Sequence, residues 1–182
     1  VGELFHPLAG RIGNKMPGSN PQGKARVLDF VVKHEEIKKI VDFGAGQGIY
    51  GHLLKGTMPW LKMTAVEIWE PYITKYGLWH LYDDIIKADI CNLDWPDADM
   101  AIFGDVLEHM EKDEAVETIM RAIQKYPHIV ISIPIADKLQ GPECGNPYEC
   151  HKYLWQIDEL KRMFGAVFPI IEFEQPLLIM IK

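Results

Sequence analysis

The sequence is poor in cysteine, poor in basic charge and without any long apolar run. Its three cysteines, Cys91, Cys144 and Cys150, are an odd number in a chain of 182 residues. A chain of this length can bury roughly 70% of its unfolded surface, so it needs no disulfide framework to fold. A reducing, cytoplasmic compartment is therefore expected. There is no CxxC pair, and Cys144, Cys150 and His151 lack an evident fourth ligand, so no metal is expected. Only 19 basic residues stand against 26 acidic ones, for a net charge of −7. Proteins that hold nucleic acid through its phosphates carry a basic surplus or stripe. The densest basic stretch here, residues 33–39, is interrupted by Glu35 and Glu36. Nucleic acid is thus a disfavoured partner, and so is an anionic membrane surface. No apolar run approaches the ~20 residues that span a bilayer. The opening VGELFHPLAGR has no basic segment followed by an apolar one, which speaks against a signal peptide. It also lacks an initiator Met, as expected of a processed or trimmed start. Internal repeats and low-complexity segments are missing too.

What is present is an ordinary globular composition, 48% apolar, in one domain by length. Residues 1–23, rich in Gly, Pro, Asn and Lys, read as an N-terminal arm or lid, and residues 24–182 as the single domain. Strands are predicted at 39–43, 63–68, 84–88, 100–104 and 128–135, with two more in the closing AVFPIIEFEQPLLIMIK. Helices are predicted at 24–34, 48–55, 71–80, 113–125 and 156–164. The strand HIVISIPI is apolar on both faces, as a central strand of a parallel sheet must be. Strands alternating with helices, then a strand pair, predict an α/β doubly wound, Rossmann-like sheet.

The segment IVDFGAGQGIYG carries the main functional signal. Asp42 ends a predicted strand, and Gly44, Gly46, Gly48 and Gly51 follow. Glycines at a strand-to-helix turn permit positive φ and close approach of backbone to a ligand. A helix starting near Gly48 aims its free N–H groups at that ligand. Two frames compete. Gly46, Gly48 and Gly51 fit G-x-G-x-x-G, the dinucleotide fingerprint, with Glu67 placed 19 residues beyond Gly48 to hold a ribose diol. The other frame is Asp42-x-Gly44-x-Gly46-x-Gly48.

This second frame resembles motif I of class I S-adenosylmethionine-dependent methyltransferases, and the resemblance extends over residues 24–182. Glu67 falls where that family has its ribose-binding acid. Asp89, in KADI, falls where an Asp often meets the adenine amine. GDVLEHM (104–110) looks like the DVLEH segment of ubiquinone-biosynthesis-type methyltransferases, and the last strand pair looks like the antiparallel hairpin that closes their seven-stranded, mostly parallel sheet. The resemblance implies S-adenosyl-L-methionine as cofactor and S-adenosyl-L-homocysteine as product. It implies a cofactor site of Asp42, Gly44, Gly46, Gly48, Glu67, Ile68, Asp89, Ile90 and Asp105. Asp42 is expected near the sulfonium and amino end. Ile68, Trp69 and Ile90 are expected to form apolar walls.

A methyl sulfonium is already a good electrophile, so the protein's task is to align a nucleophile in a dry site. A base is needed only where the acceptor must lose a proton. His109, Asp105 and His151 are the catalytic candidates. Glu108 and Glu111 read as solvated first-turn acids, and Cys91 as a small buried hydrophobe. The loop 140–155 follows the fifth strand and is dense in polar and aromatic groups. It is expected to overhang the acceptor, with Asn146, Tyr148 and His151 as substrate contacts. Asn146-Pro147-Tyr148 resembles the Asn-Pro-Pro-Tyr of amino-group DNA methyltransferases, but it lacks the second Pro and follows the fifth strand, not the fourth. The reading is a methyltransferase for a small-molecule or protein acceptor, whose short chain calls for a homodimer or another partner to complete the acceptor pocket. The alternatives are an NAD(P)-dependent oxidoreductase and a noncatalytic S-adenosylmethionine-binding protein.

Overall fold

The computed structural model describes residues 22–142 and 145–182. The expected arm, apart from its last two residues, and Cys144 lie outside the described residues. Seven strands form one sheet: β1 (Lys39–Phe43), β2 (Lys62–Glu67), β3 (Asp84–Lys87), β4 (Met100–Gly104), β5 (His128–Pro134), β6 (Ile170–Glu174) and β7 (Leu177–Ile181). Their order is β3-β2-β1-β4-β5-β7-β6. The first five are parallel, and β7 lies antiparallel between β5 and β6. This is the predicted doubly wound sheet with a C-terminal antiparallel hairpin.

Five helices flank it: α1 (Lys24–Lys33), α2 (Ile49–Thr57), α3 (Glu70–Lys75), α4 (Lys112–Lys125) and α5 (Ile157–Phe164). The predicted helix over 71–80 is shorter than expected. It ends at Lys75, and a separate turn of 3₁₀-helix covers Leu78–His80 after Gly77 takes a left-handed φ of 60°. Among the described residues no helix is long and apolar enough to cross a membrane.

Period-two alternation assigns each strand residue to a face. Val41, Phe43, Ala101, Phe103, Ile129 and Ile131 pack against α4 and α5, together with Trp95, Tyr126 and Trp155. Ile40, Met63, Ala65, Met100, Ile102 and Val130 pack against α1 and α2 on the other side. Asp42 stands on this second face, in the middle of that alternation. Strand order reverses between β1 and β4, which opens a crevice beyond their carboxyl ends.

Candidate active site

The loop after β1 is built to let that crevice exist. Gly44 and Ala45 donate to the Val66 carbonyl at 2.8 and 3.2 Å, which folds the loop onto the end of β2. Gly44 has φ +69°, and a Cβ there would stand 2.4 Å from Val106 Cγ2. Gly48 has φ +72° and starts α2, and a Cβ there would press on the side-chain ends of Leu81 and Leu78. The positive φ and the close packing together favour glycine at both positions.

Beyond the loop lies a cavity of about 210 Å³. Ten of the residues expected from the sequence line it: Gly44, Gly46, Glu67, Ile68, Asp89, Ile90, Asp105, His109, Asn146 and Tyr148. Glu67 is the most firmly placed. Its Oε2 accepts from Gly46 N and its Oε1 from Trp69 N, both at 2.8 Å. Burial raises its pKa, and these two backbone donors oppose that rise. A carboxylate has about four acceptor sites, so two remain for a diol. Asp89 caps the turn Ile90–Asn92 by accepting from Cys91 N at 2.9 Å while also lining the cavity.

Asp42, Gly48 and His151 do not line the cavity. Asp42 is shut beneath the loop, where Tyr82 donates to its Oδ2 at 2.5 Å. The same hydroxyl accepts from Gly51 N at 3.2 Å, so Tyr82 ties α2 to the end of β1. Burial lifts the Asp42 carboxyl to about 7, against the pull of Tyr82 and of the Lys24 ammonium.

Several expectations are corrected. Glu108 is not a solvated first-turn acid. It is 2% exposed, its Oε2 has no hydrogen-bond partner, and burial followed by the nearby Asp105 charge pushes its pKa far up. Cys91 is exposed, not buried. Trp155 belongs to the core and not to an acceptor lid. Asn146 is buried and spends its Oδ1 on capping the turn Pro147–Glu149, at 2.9 Å from Tyr148 N. Tyr148 stands half exposed at the rim, with its ring 6.0 Å from that of Trp69.

Asp105 turns the chain after β4 with a φ of +57°, the one non-glycine residue in that region among the described residues. Ser132 on β5 steadies it through a side-chain bond of 3.2 Å and a backbone bond of 3.0 Å. His109 follows one turn later, with Nδ1 3.2 Å from the Cys150 carbonyl. Burial lowers its pKa, so the ring is neutral near pH 7, although that carbonyl and Asp105 oppose the shift. His151 packs edge-on against it, with ring centroids 5.0 Å apart. The structure thus brings His151, about 40 residues further along the chain, against His109, which shares the turn after β4 with Asp105.

Sequence reasoning missed Lys24 and Tyr50. Lys24 is 7% exposed and donates to Tyr50 at 3.0 Å. Burial depresses its pKa, while the charges of Asp105, Asp42 and Glu108 hold it up. A single lysine in an amphipathic helix gives no sequence signal of such placement. The cavity lining is acidic, with Glu67, Asp89, Asp105, Glu114 and Glu149 against Lys152. Such a site favours a cationic ligand.

No protein-family model matches this chain, and no curated protein sequence does. Solved structures do match it. The mitomycin 7-O-methyltransferase MmcR superposes with a TM-score of 0.61 at 16% identity over 88% of this chain, which spans 53% of that protein. A SAM-dependent methyltransferase from Archaeoglobus fulgidus gives 0.60 at 21% identity, covering 82% of this chain and 69% of that one. Magnesium protoporphyrin IX methyltransferase from Synechocystis PCC 6803, solved with bound SAM, gives 0.64 at 15% identity over 88% and 77%. The chain has the class I methyltransferase fold.

Proposed function

We propose that this protein is an S-adenosylmethionine-dependent methyltransferase that moves a methyl group to a small-molecule or protein side-chain acceptor. One observation carries the reading. Glu67, at the carboxyl end of β2, is aimed into the cavity by Gly46 N and Trp69 N, beside a glycine loop that admits a ligand backbone-close. In this reading Glu67 takes the ribose diol, and Asp89, Ile68 and Ile90 surround the adenine. The acidic surroundings of Asp42 and Asp105 suit the sulfonium and amino end. The acceptor enters on the side of His109, His151, Asn146 and Tyr148. It attacks the methyl in line while the C–S bond breaks, and His109 is neutral and able to take a proton.

The oxidoreductase reading is weaker. The usual dinucleotide-binding sheet has the strand order 3-2-1-4-5-6, whereas here an antiparallel β7 stands between β5 and β6. The acidic balance argues against nucleic acid, and the cysteine usage suits a cytoplasmic setting. A second copy of the chain or another partner completes the acceptor pocket.

Calorimetric titration with S-adenosylhomocysteine, with NADH as control, tests this. Saturable binding of the homocysteine compound alone is the expected result. Binding of NADH, or of neither, overturns it. A noncatalytic protein would bind the homocysteine compound yet methylate nothing in an acceptor screen. With an acceptor in hand, His109→Ala retains cofactor binding and loses about 10²- to 10⁴-fold in turnover.

A further inference from the structure

Glu108, His109 and His151 form a group that the reading above uses only in part. Each offers one ligand atom, and these atoms all lie within 4.8 Å of one another. Glu108 is 2% exposed, and its Oε2, shut from solvent, has no hydrogen-bond partner. A buried carboxylate oxygen without a partner is unfavourable unless something else satisfies it. Its Oε1 lies 3.9 Å from His109 Nε2. That is too long for a hydrogen bond. It falls within the roughly 3–4 Å that separates two ligands sharing one ion at about 2.1 Å.

His109 is held in the matching tautomer. Its Nδ1 lies 3.2 Å from the Cys150 carbonyl. A carbonyl only accepts, so Nδ1 carries the hydrogen and Nε2 keeps its lone pair. A brace of this kind on the remote ring nitrogen is what orients ligating histidines. The backbone holds the other two as well. Lys152 N donates to the Glu108 carbonyl at 2.8 Å, and His151 N donates to the Gln140 carbonyl at 2.9 Å. Asp105 adds negative charge beside Glu108 and His109, and Lys24 and Lys152 are the opposing cations.

We propose that Glu108, His109 and His151 bind a divalent transition-metal ion at the wall of the cavity, with open positions that take a hydroxyl oxygen of the methyl acceptor. Two imidazoles and one carboxylate suit manganese, iron, cobalt or zinc better than calcium or magnesium, which prefer all-oxygen sites. Metal–ligand bonds of about 2.0–2.2 Å require the three ligand atoms to draw together by roughly 1 Å, within reach of side-chain rotation. Three protein ligands leave room for substrate. His109 also lines the cavity, which sets the group at its edge.

The substrate part of this proposal rests on the methyltransferase reading. With Nε2 on the ion His109 no longer serves as a base; instead an acceptor hydroxyl on the ion loses its proton to water more easily than a free one. Its oxygen lone pair then forms the new C–O bond as the C–S bond breaks, and that bonding pair stays on sulfur as a neutral thioether. Acceptors with a second oxygen beside the hydroxyl would chelate and be favoured. The proposal reverses the expectation of no metal drawn from Cys144, Cys150 and His151, because the carboxylate that completes the set comes from Glu108.

Cobalt(II) titration of the EDTA-stripped chain, without cofactor, is the test, read by equilibrium dialysis and visible absorption. One ion per chain is expected. His151→Ala and Glu108→Gln should each bind it at least about 100-fold more weakly. S-adenosylhomocysteine binding and a thermal melt of each variant control for folding. If Glu108→Gln does not fold, His151→Ala, on a loop, still decides. Failure of the wild type to bind cobalt stoichiometrically, or equal binding by folded His151→Ala, overturns the proposal. Cobalt binding without S-adenosylhomocysteine binding supports the metal site and removes the methyltransferase reading instead.

Discussion

The cavity has two walls that are made differently. On the β1–β2 side, the polar groups that matter are backbone N–H groups and one carboxylate at a strand end. Gly46 N and Trp69 N meet Glu67 because β1 and β2 are paired in register and end together. On the β4–β5 side, the groups are side chains delivered by two separate segments. His109 and Glu108 come from the turn after β4, and His151 from the stretch before α5. Their meeting depends on Lys152 N reaching the Glu108 carbonyl and on His109 reaching Cys150. A wall of backbone donors follows from topology alone. A wall of side chains needs a particular loop path.

That difference decided what the sequence could reveal. The fold was legible because hydrophobic periodicity and glycine turns act locally, and every predicted strand is found within one or two residues. The β1–β2 wall was legible for the same reason, since Gly44, Gly46 and Glu67 sit at strand ends. On the other wall, Glu108 reads like any acid at a helix entrance until the segment 145–155 closes over it. Trp155 reads as part of a lid because it is aromatic in a long loop, yet it fills the core, and Asn146 caps a turn while lining the cavity. Lys24 was invisible because its partners, Tyr50 and the acids near it, lie on other elements.

Substitutions can break or sharpen the contrast. The largest effect is expected from Trp155→Ala. It empties a fully buried site under the side-chain wall and should cost about 3–5 kcal/mol in denaturant unfolding. Next comes Glu67→Ala. It removes the acceptor for Gly46 and Trp69 and should weaken S-adenosylhomocysteine by about 100-fold in calorimetry, with a smaller change in stability.

Asp42→Asn gives a third, pH-dependent effect. The folded carboxyl titrates near 7, and the unfolded one near about 3.9. The folded state therefore holds an extra proton between these values, and wild-type stability is lost as pH rises through that window. Asn stays neutral, so the variant should gain on wild type by roughly 2 kcal/mol between about pH 5 and pH 8 in urea unfolding while binding a cationic ligand more weakly. A wild-type curve parallel to the variant's would show that Asp42 titrates normally. The smallest effect is expected from Arg26→Ala, which removes an exposed ion pair with Glu172. Unfolding should shift by less than about 1 kcal/mol.

The antiparallel β7 has a consequence for the order of assembly. It pairs with β5 on one side and with β6 on the other, so β6 touches the sheet only through it. β6 is made before β7 yet can join the sheet only after it. In a chain made only as far as residue 176, β6 has no strand to pair with. At this end the sheet closes from the inside outward, against the direction of synthesis, and the β6 edge acquires its partner only once β7 is made.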